Sequence, residues 1–248
     1  MLIRLFAALS LLCAFTPASA ETLRFYGYAF DLKTDKYLYT EIQEQDIDAN
    51  GKWISGRVRY VLPDGSALGN KTLDFAADPH VPVYRMELPL SGYSEGITRS
   101  TDPIVMQRQE KGKQLETESI KRDGPTCADA GFHSFLLDHF DRLMKGEKVN
   151  LKLVVAGGLD QFKFRARRIE DGTFEGKPAV RFYVEPDSLL RFVVDPLELT
   201  YDGKTRQLLE YRGMSNVIDP ATGKLFVTRI SYFSKTPDGV SNLPPLTP

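Results

Sequence analysis

Most of the chain alternates between apolar and polar residues with a period of two, and this pattern constrains its fold more than any other feature. In KYLYTEIQEQDID, Leu38, Thr40 and Ile42 fall on one face of a strand, because successive side chains of a strand point to opposite faces. Asn50-Gly51 follows and is a strong hairpin signal. Such turn signals recur about every 8–12 residues, a spacing that predicts an antiparallel all-β protein.

One segment, residues 128–145, has helical periodicity instead. Thr126 is expected to cap its N-terminus with Asp129 as capping partner, and Gly146 to end it. Its apolar stripe contains Phe132, Phe135, Leu136, Phe140 and Leu143, with His139 in the same stripe. We therefore predict an all-β fold with one main helix: an antiparallel, strongly curved meander or open barrel wrapped around that helix.

The first twenty residues have the pattern of an export signal. A positive charge at Arg4 precedes a short apolar run, and Ala18-Ser19-Ala20 is a small-x-small cleavage site before Glu21. Leu12 is too bulky for the usual lipid-attachment signal before Cys13, so soluble export is favoured over a lipoprotein. We expect a periplasmic protein with residues 1–20 as signal peptide, 21–240 as a single β-rich domain and 241–248 as a loose Pro-rich tail.

The charge balance and the cysteine content narrow the function classes. The full chain has 32 basic and 33 acidic residues, and removal of the signal peptide leaves 31 and 33. There is no basic surplus to neutralise phosphates, which argues against a nucleic-acid partner. The mature sequence has no apolar stretch of the roughly 20 residues that span a membrane. Cys127 is then the single cysteine, so no internal disulfide is expected and stability must come from core burial.

Cys127 lies close in sequence to two of the three histidines, His133 and His139. Six residues separate Cys127 from His133, which is about 240° around an ideal helix, so the spacing does not place a base beside the thiol. The two histidines are also six residues apart, and aligned ligands on one helix face would be three or four apart. We therefore predict no catalytic residue, no metal site and no cofactor. The acidic residues of EIQEQDID are expected on the solvated face.

Aromatic residues offer a different kind of site. Several strands carry Phe or Tyr on both faces, more than a sheet with one wet face needs. One interpretation is a core on one face and cross-strand pairs on the other; the other is a groove that accepts a lipid or acyl chain. The candidate ligand-binding residues, on the concave face and the helix, are Phe135, His139, Phe140, Phe162 and Phe164.

The second half of the chain, from about Phe132 to Tyr232, resembles a known family. The helix FHSFLLDHFDRLMKGE is followed in order by VNLKLVV, FKFRARRIE, GKPAVRFYV and LTYDGKTRQLLEYRGMSNV. This order resembles an uncharacterised family of exported Gram-negative proteins, domain-of-unknown-function family 3108. The resemblance implies a periplasmic, β-rich, non-enzymatic protein whose meander is similar to the lipoprotein-carrier fold, and it carries no site residue.

Three functions stay open from the sequence. The first is a non-enzymatic exported protein that binds a hydrophobic small molecule or an envelope protein. The second is a periplasmic hydrolase whose site is not recognisable from sequence. The third is a small outer-membrane barrel, although the Pro-rich C-terminus lacks a terminal aromatic strand and charges interrupt the strands.

Overall fold

A computed structural model describes residues 21–188, 195–240 and 243–246, and the predicted signal peptide lies outside them. Within these residues, sixteen strands form one open sheet, which confirms the predicted all-β meander. The strands are β1 (Glu21–Asp31), β2 (Tyr37–Ile47), β3 (Trp53–Val61), β4 (Ala67–Asp74), β5 (Val83–Leu88), β6 (Tyr93–Arg99), β7 (Ile104–Gln109), β8 (Glu116–Ile120), β9 (Thr126–Ala128), β10 (Val149–Val155), β11 (Asp160–Arg168), β12 (Gly172–Phe174), β13 (Lys177–Pro186), β14 (Leu197–Tyr201), β15 (Leu208–Ile218) and β16 (Leu225–Tyr232).

The strand order is β8-β7-β6-β5-β4-β3-β2-β1-β16-β15-β14-β13-β11-β10-β9, and β12 pairs with β13 alone. Most neighbouring strands are consecutive in the chain. The first and last strands, β1 and β16, pair with each other in the middle of the sheet. One pair departs from the antiparallel prediction: β9 runs parallel to β10, with Cys127 opposite Leu153. Parallel neighbours need a crossover connection, and the helical segment between the two strands supplies it.

The predicted single helix is two short ones, α1 (Gly131–Asp138) and α2 (Phe140–Met144). The break has a local cause at His139, whose backbone N–H bonds the Leu136 carbonyl. Its ring Nδ1 donates instead to the Phe135 carbonyl at 2.9 Å, the acceptor that a continuous helix would pair with the His139 N–H. Neither helix is long and apolar enough to cross a membrane.

The predicted helix cap is wrong. Thr126 belongs to strand β9, and the N-cap position of α1 is Ala130, which makes no side-chain cap bond. Asp129 has a left-handed backbone with φ of 43°, and its carboxylate accepts the N–H of Ala130 at 2.7 Å. The chain therefore turns sharply at Asp129 before the helix begins.

The sheet encloses two hydrophobic cores. The first core lies mainly between strands β2 to β7, with contributions from β1, β9, β10, β15 and β16. The second, here called the helix core, is formed by α1 and α2 against β9, β10, β11, β13 and β14. The helices thus pack against one part of the sheet. The first core is composed of Ala29, Tyr39, Val58, Tyr60, Leu68, Leu73, Phe75, Val81, Tyr84, Met86, Leu88, Ile97, Ile104, Met106, Ala128, Val154, Ala156, Val217 and Ile230.

Two further contacts join segments that are far apart in sequence. The turn Ala156–Gly158, between β10 and β11, contacts β6 and β7, and the carbonyl of Gly157 accepts a hydrogen bond from Arg108 Nη1 at 2.9 Å. Of the predicted tail, residues 243–246 are described, and the Pro244 carbonyl accepts a hydrogen bond from the Tyr26 hydroxyl at 2.6 Å.

Candidate functional site

The five predicted ligand-binding residues have different environments. Phe135 and Phe140 are each 1% exposed and belong to the helix core. His139 is half-buried and stacks on Phe135 with ring centroids 4.3 Å apart. Phe164 is half-buried at the edge of the same core, whereas Phe162 is 45% exposed. The structure brings Phe135 and His139 into contact, and Phe162 alone of the five has a large free surface.

The residues around Cys127 do not favour a thiolate. Cys127 is fully buried in β9, and this burial raises the pKa of its thiol. The His133 ring stacks on Tyr201 and its Nδ1 lies 3.1 Å from the Tyr201 hydroxyl. Burial lowers the pKa of His133 to about 4. In the described ranges of the chain, no group of three or more His, Cys, Asp or Glu side chains could hold a metal ion.

A set of charged residues is buried beside the first core, and one of them, Glu41, lies in the stretch EIQEQDID that was predicted to be solvated. Glu41 in β2 shares its face with Tyr39 of the first core and is buried. Lys71 in β4 and Glu95 in β6 are also buried, and Lys71 Nζ lies 2.7 Å from Asp129 Oδ2, with the two side chains 8% and 6% exposed. We call Glu41, Lys71, Glu95 and Asp129 the inner charge cluster.

Each carboxylate of the inner charge cluster has hydrogen-bond donors. Asp129 Oδ2 accepts from Asn216 Nδ2 at 2.8 Å as well as from Lys71. Glu41 Oε2 accepts from the Gln43 amide at 2.9 Å and from the Tyr232 hydroxyl at 3.2 Å. These donors supply the partners that buried charges require.

Glycine at position 27 makes room for one of those donors. A Cβ at Gly27 would lie 2.5 Å from the Tyr232 ring, closer than any real Cβ contact. The ring therefore reaches Glu41 across the β1 backbone only because residue 27 has no side chain.

Glu95 is held by two tyrosines. The Tyr84 hydroxyl donates to Glu95 Oε1 at 2.9 Å, and the Tyr93 hydroxyl donates to Oε2 at 2.6 Å. Burial raises the pKa of Glu95 and, in the same way, that of Glu41. Hydrogen bonds and the Lys71 ammonium act in the opposite direction at both groups, yet the loss of hydration is the larger effect.

An open cleft of about 520 Å³ lies at the rim of the first core. Its lining brings together parts of the chain that are far apart in sequence: Leu90, Ser91, Tyr93, Arg108, Glu110, Lys111, Gly157, Ile218, Pro220, Gly223 and Leu225. Two of these are large apolar residues with free surface, Leu90 at 53% and Leu225 at 41% exposed. We call this space the rim cleft. Its volume lies within the range that is usual for small-molecule sites, and its lining combines apolar and charged side chains.

The rim cleft adjoins the inner charge cluster through two of its lining residues. Tyr93 lines the cleft and donates to Glu95. Gly157 also lines it, and a Cβ at this position would lie 2.2 Å from Glu95 Oε2. Glu95 is therefore separated from the cleft by one tyrosine hydroxyl and one glycine backbone.

Comparison with known proteins finds no matching family model, no similar curated protein and no similar solved structure. The resemblance to the uncharacterised exported family therefore stays a prediction from the sequence.

Proposed function

We propose that this chain is an exported periplasmic protein, without enzymatic activity, that binds a hydrophobic small molecule in the rim cleft. The observation that carries the proposal is the cleft itself, a space of about 520 Å³ with Leu90 and Leu225 exposed in its lining. Volumes of about 300–1,000 Å³ are usual for small-molecule sites. The export pattern of residues 1–20 supports the periplasmic assignment.

The rim cleft is a better binding site than the concave interior that the aromatic pattern suggested. Phe135 and Phe140 are packed in the helix core, and opening that core would expose their apolar surface at a cost of about 1.5–3 kcal/mol for each side chain. The first core contains the inner charge cluster, whose buried ions would lose their partners if a hydrocarbon chain displaced them. The cleft already has free apolar surface.

The test is native mass spectrometry of the full chain purified from a periplasmic extract, with and without a charge placed in the cleft. Leu225→Asp and Leu90→Asp should each remove a co-purified small molecule, because a carboxylate beside a bound hydrocarbon would be desolvated. Met214→Asp is the matched control, since Met214 is 59% exposed and lies outside the cleft lining. Ligand retained by both leucine variants would refute the cleft as the site.

A periplasmic hydrolase is the second candidate, and one contact favours it. Glu95, whose pKa is raised by burial, is linked by the Tyr93 hydroxyl to the cleft, so Tyr93 would pass a proton between Glu95 and a bound molecule. Turnover of a panel of nitrophenyl esters tests this candidate. Glu95→Gln and Tyr93→Phe should both abolish turnover if it is correct, and an inactive wild-type protein would eliminate it for that class of substrate.

A further inference from the structure

We infer that the ligand of the rim cleft is an amphiphile with an anionic head group, a carboxylate or a phosphate, received by Lys111 and Arg108. This inference rests on the proposed function, because it assigns the chemistry of the ligand to the same cleft. Lys111, Arg108 and Glu110 are the charged side chains in the lining. They leave an excess of one positive charge, which favours an anion.

Lys111 is the side chain best placed to receive the head group. It is exposed, and within the described part of the chain it forms no ion pair, whereas Lys113 nearby pairs with Glu110 at 2.6 Å. Its stem lies against Gly92, where an added Cβ would be 2.9 Å from the Lys111 Cβ. Gly92 has a φ of +60°, a conformation that favours glycine. The aliphatic part of the Lys111 side chain thus packs against the turn at Gly92, and its ammonium is free to bind a ligand in the cleft.

Arg108 is fixed in the wall of the cleft with a donor to spare. Its Nη1 donates to the Gly157 carbonyl at 2.9 Å and its Nη2 to Glu116 Oε2 at 2.8 Å. Its Nε is buried without a hydrogen-bond partner, with Glu110 Oε1 3.7 Å away. The hydroxyl of Ser91, also in the lining, is a second buried polar atom without a partner. Unpaired buried donors are costly, and the oxygen atoms of an anionic head group would satisfy both after a small side-chain movement.

The other part of the lining suits a hydrocarbon. Leu90, Ile218, Pro220 and Leu225 supply apolar surface in the same space. A ligand with a head group at Lys111 can therefore bury its chain against these residues without leaving the cleft. The cleft thus presents charge and apolar surface together, as an amphiphile requires.

Isothermal titration calorimetry of the full chain with four probes tests the inference. The probes are decanoate and decyl phosphate, each kept below its micelle concentration, decanol kept below its solubility limit, and inorganic phosphate. Decanoate and decyl phosphate separate carboxylate from phosphate, decanol has a chain of the same length without charge, and inorganic phosphate has the charge without a chain. We expect the two anionic amphiphiles to bind at least about tenfold more tightly than decanol or phosphate, as one charge-assisted hydrogen bond provides.

The same titrations with Lys111→Ala assign the head-group contact. This variant should weaken the anionic amphiphiles about tenfold and leave decanol binding unchanged. Lys148→Ala is the matched control, since Lys148 is another exposed lysine that does not line the cleft, and it should change nothing.

The outcomes separate the inference from the proposed function. Equal binding of decanol and decanoate, unaffected by Lys111→Ala, would overturn the anionic head group but leave a hydrophobic ligand in the cleft. Inorganic phosphate binding as tightly as decyl phosphate would overturn the amphiphile, because the chain would then contribute nothing. Equal weakening by Lys148→Ala would show non-specific attraction and overturn the assignment to Lys111. If no amphiphile binds and the purified protein carries no ligand, the proposed function itself fails.

Discussion

The two cores lie against one sheet but bury different chemistry. In the helix core, Phe140, Phe182 and Tyr201 pack with ring centroids 5.2 to 5.7 Å apart. In the first core, tyrosines surround an ion pair and two further carboxylates. The difference shows that the helix core is held by shape and apolar contact, whereas the first core is held in part by matched polar groups, which specify position but cost desolvation.

The inner charge cluster also connects the two regions. Lys71 comes from β4, in the first half of the sheet, while Asp129 belongs to the turn that leads into the helices and Asn216 to β15. Hydrogen bonds at one carboxylate therefore tie together three distant segments. A backbone hydrogen bond also joins the first half of the sheet to the segment before the helices, because the His80 carbonyl accepts the Ala128 N–H at 2.9 Å. The helices are thus positioned by polar contacts to the first core as well as by their own apolar stripe.

The largest expected effect is the loss of an aromatic side chain from the helix core. Phe140→Ala should lower the free energy of unfolding by about 4 kcal/mol, because it removes a large buried ring and leaves a cavity. The measurement is chemical denaturation at neutral pH. Phe162→Ala is the control, and because Phe162 is 45% exposed it should cost far less. Similar losses for both variants would contradict the contrast between a closed core and an exposed strand position.

A slightly smaller effect is expected from breaking the ion pair of the first core. Lys71→Met should cost about 3 kcal/mol, because Asp129 would then be left with its charge uncompensated in a buried site. Asp129→Asn keeps a residue type that tolerates the left-handed conformation. The double variant should recover part of the loss in a double-mutant cycle. Additive costs would show that the two side chains do not interact energetically.

The sequence predicted the sheet well because alternation is a local property of each strand. It did not predict that Glu41 is buried, because the alternation of a strand does not show whether one or both of its faces pack against other residues. In β2 both faces are covered: Thr40 and Ile42 are buried on one side and Tyr39 and Glu41 on the other. Burial of Glu41 is compensated by partners such as Tyr232, which lies far away in sequence, and no local pattern reveals such a partner.

The break in the predicted helix and the rim cleft were missed for related reasons. The apolar residues keep the same helical spacing up to Phe140. However, the His139 ring binds the Phe135 carbonyl in place of the backbone N–H and α1 ends at Asp138, which the spacing of apolar residues does not show. The cleft is assembled where the turn Ala156–Gly158 meets β6 and β7. The Gly157-Gly158 pair indicated a turn, but only the folded sheet places that turn beside Arg108.

The two cores should respond oppositely to acid. Glu41 and Glu95 in the first core have pKa values raised above 4.5 by burial, so they bind protons more readily in the folded state. Their contribution to stability is present below about pH 4.5 and is lost as the pH rises through their folded pKa values. His133, beside the helix core, has its pKa lowered from 6.5 to about 4 by burial. Its contribution is present above pH 6.5 and is lost as the pH falls toward 4.

Thermal unfolding between pH 4.5 and 7 separates these contributions. Glu41→Gln and Glu95→Gln should each remove part of the stabilisation that acid provides, so that their unfolding temperatures fall more steeply on acidification than that of the wild type. His133→Asn should do the reverse and make the protein relatively more stable toward pH 4.5. Parallel pH curves for all four proteins would mean that none of these groups changes its affinity for protons on folding.

The smallest expected effect tests whether the helix core excludes polar atoms. Cys127 is fully buried in that core, and burial raises the pKa of its thiol, so it should behave as a small apolar side chain. Cys127→Ser should be less stable than Cys127→Ala by about 1 kcal/mol, because a buried hydroxyl without a partner costs more than a missing sulfur.

Ligand binding should stay within about twofold in both variants, because Cys127 does not line the rim cleft and substitutions away from special features have small effects. Iodoacetamide should label the wild-type thiol slowly between pH 5 and 9, at a rate limited by opening of the core. Rapid labelling near pH 6, together with loss of binding in Cys127→Ser, would instead reveal an accessible thiolate, and the helix core would then share the polar character of the first.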